Sequence, residues 1–262
     1  MDAIVLAGDR DPEDPLAREA GKVSKSLVPV AGVAMLERVV AALEASARIG
    51  RICIVHSLAD PAADLPGLAG SFADGRLMSV AAGPTPSMSV LNGVEALANR
   101  FPLLITTSDH ALLRPEMVDH FVGQCLAGTT GIADIAAGVT SEALIRRSYP
   151  ASKRTYLKFK DGAYSGSNLF ALGSQRGLEA VRLWRRAEGQ RKRPWRVAGV
   201  FGPGLLVGYL LRRWTLDEAM AKVSARLGMA AKCVVMPFAE AAIDVDTRDD
   251  LKLVEAILRA AG

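Results

Sequence analysis

Residues 3–9, Ala3-Ile4-Val5-Leu6-Ala7-Gly8-Asp9, decide the fold. Aliphatic positions follow one another without polar alternation, the pattern of a strand buried on both faces. The small pair Ala7-Gly8 closes the run, where a backbone can come close to a ligand or to a neighbouring turn. Working outward, runs of the same kind return at 52–55, 77–80, 103–106 and 132–139, and helical patterns occupy 35–47, 89–97 and 115–126. Strands that alternate with helices predict an α/β fold, a three-layer architecture with a mostly parallel central sheet and helices on both faces.

The 262 residues are 50% hydrophobic, 5% aromatic and 23% charged, which fits one large domain or two small ones and excludes disorder, collagen and a disulfide scaffold. We expect a single domain over 1–262. The net charge of +4 is spread along the chain rather than gathered in a stripe, so no nucleic-acid partner is expected, whereas a phosphate-bearing small molecule suits it. Cys53, Cys125 and Cys233 are odd in number and lie in or beside apolar stretches, which predicts buried thiols in a reducing compartment. Met1-Asp2 leads straight into the first strand without the basic flank and cleavage site of a signal peptide, so a cytoplasmic location is expected. The apolar stretch 197–211 holds four glycines and a proline in 15 residues, against the roughly 20 of a membrane-spanning helix. It reads as a loop followed by a buried or interfacial helix.

Beyond residue 140 the rhythm loosens into a basic, glycine-containing stretch at 146–166, then a strand at 167–172 and an Arg-rich helix at 178–186. We read 141–215 as a substrate-side insertion. Around Trp195, Arg191, Lys192, Arg193 and Arg196 form either a solvated connector or a contact for phosphate or a peripheral membrane and lipid-pathway partner. Thr215 with Glu218, and Thr247 with Asp250, open helices to about 227 and 259. His56, His110 and His120 show no metal-ligand spacing. No GxSxG elbow occurs, and Gly202, Gly204 and Gly208 are wrongly spaced for a dinucleotide loop.

The opening strand with Gly8, the run Lys25-Ser26-Leu27-Val28-Pro29-Val30-Ala31-Gly32 and the helix start Met35-Leu36 resemble the opening of the nucleotidyltransferases with a MobA-like or IspD-like domain. Their pattern is a Leu-Ala-x-Gly turn, an arginine, a Pro-Lys pair and a Leu-x-Pro-Val-x-Gly run. Here Ser24 replaces the proline and Val33 stands where a second lysine is common. The loop between Gly8 and Lys25 is long and carries Asp9, Asp11, Glu13 and Asp14, with Arg18 and Lys22 as cations that compete with Arg10.

Three further segments are similar to that family. Gly83-Pro-Thr-Pro-Ser-Met-Ser89 resembles the part that surrounds the base in cytidylyl-transferring members, although Ser87 or Ser89 would equally cap the next helix. Leu103-Leu-Ile-Thr-Thr-Ser-Asp109 is an apolar strand ending where the family keeps a magnesium-binding carboxylate, although an aspartate there also accepts turn amides. Ile243-Asp244-Val245-Asp246-Thr247-Arg-Asp-Asp250-Leu251 resembles the family's closing Asp-x-x-Thr-Pro-Glu-Asp-Leu run, with Arg248 in place of the proline. Ser165-Gly166-Ser167-Asn168 is similar to a segment that contacts the acceptor, or is a turn feeding a strand.

The resemblance implies a GT-A-like, nucleotide-diphospho-sugar-transferase fold. It also implies Mg²⁺-dependent transfer of an NMP from an NTP, with CTP slightly favoured over GTP, to a small phosphorylated alcohol, polyol or sugar, releasing pyrophosphate. It assigns Lys25 and Arg10 to catalysis, and Leu6, Ala7, Gly8, Gly83, Ser89 and Asp109 to the nucleotide. Asp109 and Asp244, with Asp246 in reserve, would hold the metal, and Gly166 and Asn168 would contact the acceptor. Lys153 and Lys158, in a basic stretch with Arg154 and Lys160, would meet the acceptor's phosphate. A phosphate nucleophile is already anionic, which explains the lack of a catalytic His or Cys. A GT-A-type glycosyltransferase, suggested by Asp244-Val-Asp246, and an inactive nucleotide-binding regulatory module are the alternatives.

Overall fold

The computed structural model describes residues 1–9, 11, 13–127, 132–188 and 203–261. Arg10 and the basic residues around Trp195 lie outside them. Among the described residues the strands are β1 (Asp2–Ala7), β2 (Pro29–Val30), β3 (Val33–Ala34), β4 (Ile52–His56), β5 (Leu77–Ala81), β6 (Leu103–Thr107), β7 (Ile135–Ser141), β8 (Leu157–Phe159), β9 (Gly162–Leu172) and β10 (Ala231–Val235). Eight of them form one sheet in the order β10-β7-β9-β6-β1-β4-β5, with β8 paired to β9, while β2 and β3 make a small separate ribbon.

The sheet is mostly parallel, as the alternation of strands and helices predicts. β6, β1, β4 and β5 run together, as do β7 and β10. β9 is the reversed strand, antiparallel to β6, β7 and β8. Its direction follows from the turn after Phe159, where Gly162 takes φ +148°, a conformation that strongly favours glycine. β9 lies between β6 and β7, so part of the stretch expected as an insertion is built into the middle of the sheet. β10 has no counterpart in the sequence reading, because an edge strand carrying Lys232 among small and aliphatic residues lacks the continuous apolar run of a central one.

Alternate residues of the central strands feed opposite faces, as the two-residue period of a strand requires. Ala3, Val5, Ile52, Ile54 and Leu104 pack with the helices Met35–Ala45 and Pro115–Leu126, around the fully buried Phe121 and Met117. Ile4, Cys53, Val55, Leu103 and Ile105 face the other way, onto Val90 and Val94 of the helix Pro86–Ala96 and Leu178 of the helix Gln175–Glu188. Gly93 is the point of closest approach on that side: a Cβ there would meet Ile4 Cγ2 at 2.9 Å and Val55 Cγ2 at 3.0 Å.

Cys53 and Cys125 are buried and Cys233 is partly so; all three are free thiols, and burial pushes each up to about 11. Among the described residues no helix is long and apolar enough to cross a membrane.

Candidate active site

A third apolar cluster assembles the site. It gathers Leu16 and Ala17, Val28 and Val30, Ala111 and Leu112, and Ile243, Val245 and Val254. Three of these groups flank or follow a charged residue of the cavity: Lys25 precedes Val28, Asp109 precedes Ala111, and Asp244 lies between Ile243 and Val245. Burying the apolar members therefore fixes the charged ones beside them. A backbone bond from Val245 N–H to the Asp109 carbonyl, 3.0 Å, ties the two carboxylate segments directly.

Lys25 opens a 3-10 turn, Lys25–Leu27, capped by Ser24. Asp9 anchors that turn from the loop after β1: its Oδ1 accepts Ser24 Oγ–H at 3.0 Å and Lys25 N–H at 3.1 Å. The Lys25 ammonium stands 2.7 Å from Asp246 Oδ1 and 3.7 Å from Asp109 Oδ2. Burial opposes its charge, but Asp109, Asp246 and Asp14 outweigh that opposition and hold its pKa above the ordinary lysine value.

Asp109 lies just past the carboxyl end of β6, where an open α/β sheet exposes its ligand crevice. Thr107 Oγ1 donates to its Oδ1 at 2.5 Å. The adjacent His110 is fully buried, neither ring nitrogen has a hydrogen-bond partner among the described residues, and burial pushes its pKa down to about 4. Asp244 is held by Arg154 through Oδ1 and accepts from Asn168 Nδ2 at 3.2 Å through Oδ2. Burial raises its pKa, Asp109 and Asp246 raise it further, and Arg154 and Asn168 pull it back.

Two turns close the other wall. Gly83 N–H donates to Ser89 Oγ at 3.0 Å, and Thr85 rather than Ser87 or Ser89 caps the helix Pro86–Ala96, accepting from Met88 N–H at 3.3 Å. A Cβ on Gly8 would sit 2.7 Å from Ala82 Cβ, so glycine is required there for the turns after β1 and β5 to meet.

Leu6, Ala7, Gly8, Lys25, Gly83, Ser89, Asp109, Asn168, Asp244 and Asp246 all line one cavity of about 790 Å³. Lys153, Lys158 and Gly166 are exposed and do not line it. Arg10 is not among the described residues. The sequence reading gave no role to Asp9, which positions Lys25, and did not anticipate that Arg154 would be engaged by carboxylates. One signal was available: in Ile243-Asp244-Val245-Asp246 apolar and acidic residues alternate, so one side is committed to the cluster and the other to the cavity. Asn168 offers another, since its φ of +47° at the irregular β7–β9 register suits asparagine better than most residues.

The donor set suits a hard divalent ion. Three carboxylates face one space and repel one another, as the upward push of Asp109 and Asp246 on Asp244 records. Among the described residues no group of three or more His, Cys, Asp or Glu forms a ready-made metal cage.

The sequence matches the family model described as a MobA-like NTP transferase domain over residues 3–193. A hypothetical transferase from Thermus thermophilus is similar in structure with a TM-score of 0.77 and 28% identity, over 95% of this chain and 98% of that one. The 4-diphosphocytidyl-2C-methyl-D-erythritol synthase of Anaerococcus prevotii is similar with a TM-score of 0.57 and 13% identity, over 98% of this chain and 95% of that one. A second structure of a synthase with that name gives 0.56 and 13%, over 98% and 97%. At 13% identity these two speak for the fold alone. No curated protein matches the sequence.

Proposed function

The chain belongs to the MobA-like NTP transferase family, and from that premise we propose that it transfers an NMP from an NTP, with CTP preferred over GTP, to a small phosphorylated alcohol, polyol or sugar, releasing pyrophosphate. The observation that carries this reading is the meeting of Lys25, Asp109, Asp244 and Asp246 in one cavity beside the glycine turns after β1 and β5. The preference for CTP rests on the likeness of the 83–89 segment to cytidylyl-transferring members.

The acceptor's phosphate oxygen attacks the α-phosphorus in line, and no covalent enzyme intermediate is needed. Because the nucleophile is anionic at neutral pH, the chain's task is positioning and electrostatic stabilisation rather than proton abstraction. Lys25, kept protonated by its carboxylate neighbours, exchanges Asp246 for the departing pyrophosphate. Gly8 and Gly83 leave backbone room for the nucleotide. Asp109 and Asp244, with Asp246 in reserve, would hold Mg²⁺, which supplies neutralisation of charge on the phosphoryl oxygens when bound.

A pyrophosphate-release assay with four NTPs against phosphorylated alcohols, polyols and sugars in Mg²⁺ tests this reading. Release with CTP, and less with GTP, is the expected result. Sugar transfer from a nucleotide-sugar without pyrophosphate would replace it with glycosyl transfer, and tight NTP binding with no pyrophosphate from any acceptor would make the chain a nucleotide-binding module.

A further inference from the structure

The guanidinium of Arg154 is turned inward. Its side chain is only 8% exposed, and each of its three nitrogens has a partner. Nε donates to Ser152 Oγ at 3.1 Å, Nη1 to Asp244 Oδ1, and Nη2 to the Asp244 carbonyl at 3.3 Å and Asp250 Oδ1 at 2.6 Å. Asp250 spends its other oxygen on the start of the C-terminal helix, accepting Thr247 N–H at 3.0 Å and Thr247 Oγ1–H at 2.7 Å. The guanidinium thus clamps a cavity-lining carboxylate to a helix cap. It is not a free cation for an acceptor's phosphate, which is what the basic stretch around it suggested.

We propose that Arg154 is a positioning residue for nucleotidyl transfer: by holding Asp244 through Oδ1 and its carbonyl, it leaves Oδ2, steadied by Asn168, as the oxygen presented to the divalent ion. This rests on the function proposed above. An unanchored carboxylate rotates and must be ordered when the ion binds; one gripped by a planar fork is ordered beforehand. Lysine, a single point charge on a flexible stem, cannot span Asp244, its carbonyl and Asp250 at once.

The test is Mn²⁺ binding followed by electron paramagnetic resonance in the presence of an α,β-methylene CTP analogue, beside pyrophosphate-release kinetics. R154K is expected to weaken Mn²⁺ binding by about 10- to 100-fold and to lower kcat, with little change in the KM for NTP. D244N is expected to show the same loss, and R154K/D244N no more than D244N alone, since both act through one carboxylate. Wild-type Mn²⁺ binding and kcat in R154K, or losses that add in the double variant, would overturn the proposal. Should R154K fail to fold, D250N loosens the clamp from its far end while keeping Arg154 and Asp244; unchanged Mn²⁺ affinity there would overturn it too. If the wild-type protein itself binds no Mn²⁺ with the analogue and releases no pyrophosphate, the underlying functional reading has failed, a result recognisable because it appears before any substitution.

Discussion

Lys25 sits among Asp14, Asp109 and Asp246, whose charges more than offset the burial that disfavours its own. Its ammonium is therefore present throughout the neutral range. Lys25→Met is expected to lower kcat by about 10²- to 10³-fold, the usual effect of removing one donor to developing charge. Its melting temperature should fall modestly, because the pairings with Asp246 and Asp109 are lost and their carboxylates are left facing one another; both are read from pyrophosphate release and a thermal melt. His56, with the more deeply buried His110, contributes to the pH dependence of stability. It is 7% exposed, its Nδ1 accepts Leu58 N–H at 3.0 Å, and burial lowers its pKa, with Asp64 opposing in part. The unfolded chain, with a histidine pKa of about 6.5, then takes up the proton first, so the stabilisation is complete above that pH and is lost as pH falls through the folded value. His56→Gln keeps an acceptor that does not titrate. The stability difference between wild type and His56→Gln, measured by urea unfolding, should shrink from pH 7.5 to pH 5. The catalytic aspartate candidates were readable because each ends or flanks an apolar strand-like run. Arg154 was not: a basic residue among Lys153, Lys158 and Lys160 has the same local sequence whether it faces water or two carboxylates 90 and more residues away.

The helices and strands that pack on both faces of the sheet announce themselves by apolar runs, and those at 35–45, 86–96, 103–107 and 115–126 were readable for that reason. What composition conceals is an element made by a partner distant in the chain, such as β10, which pairs with β7 about 96 residues earlier. Close packing is equally hidden. Gly93 looks like a flaw in a helix, yet it is where the helix Pro86–Ala96 touches β1 and β4. Gly93→Ala sets two effects against each other: a helix-propensity gain of about 0.8–1.0 kcal/mol and an overpacking penalty of about 1–3 kcal/mol. Ile4 is branched and fully buried, so the neighbour nearest the new methyl has little room to yield. The variant is expected to be less stable than wild type in urea unfolding; a gain in stability would mean that the contact relaxes freely.

Across the molecule, the cavity borrows from segments far apart in the sequence, and direct bonds tie them together. Lys25 and Asp246 pair across 221 residues, and Val245, in the segment that follows β10, reaches the Asp109 carbonyl. Ligand binding should consequently stabilise the fold as a whole. At a concentration of CTP and Mg²⁺ about 100 times the Kd, unfolding is expected to become about 2.7 kcal/mol harder, seen as a rise in melting temperature that Asp109→Asn diminishes.

The backbone bond between Val245 and Asp109 also has a bearing on biosynthesis. The parallel strands β6, β1, β4 and β5 come entirely from the first 107 residues, so this half of the sheet can pair while the ribosome is still at work. The candidate cavity is complete only once the segment 243–246 has docked beside Asp109. A chain cut before Ile243 would keep Gly8, Lys25, Gly83 and Asp109 but lack Asp244 and Asp246, and with them the apolar residues Ile243, Val245 and Val254 that hold the segment in place.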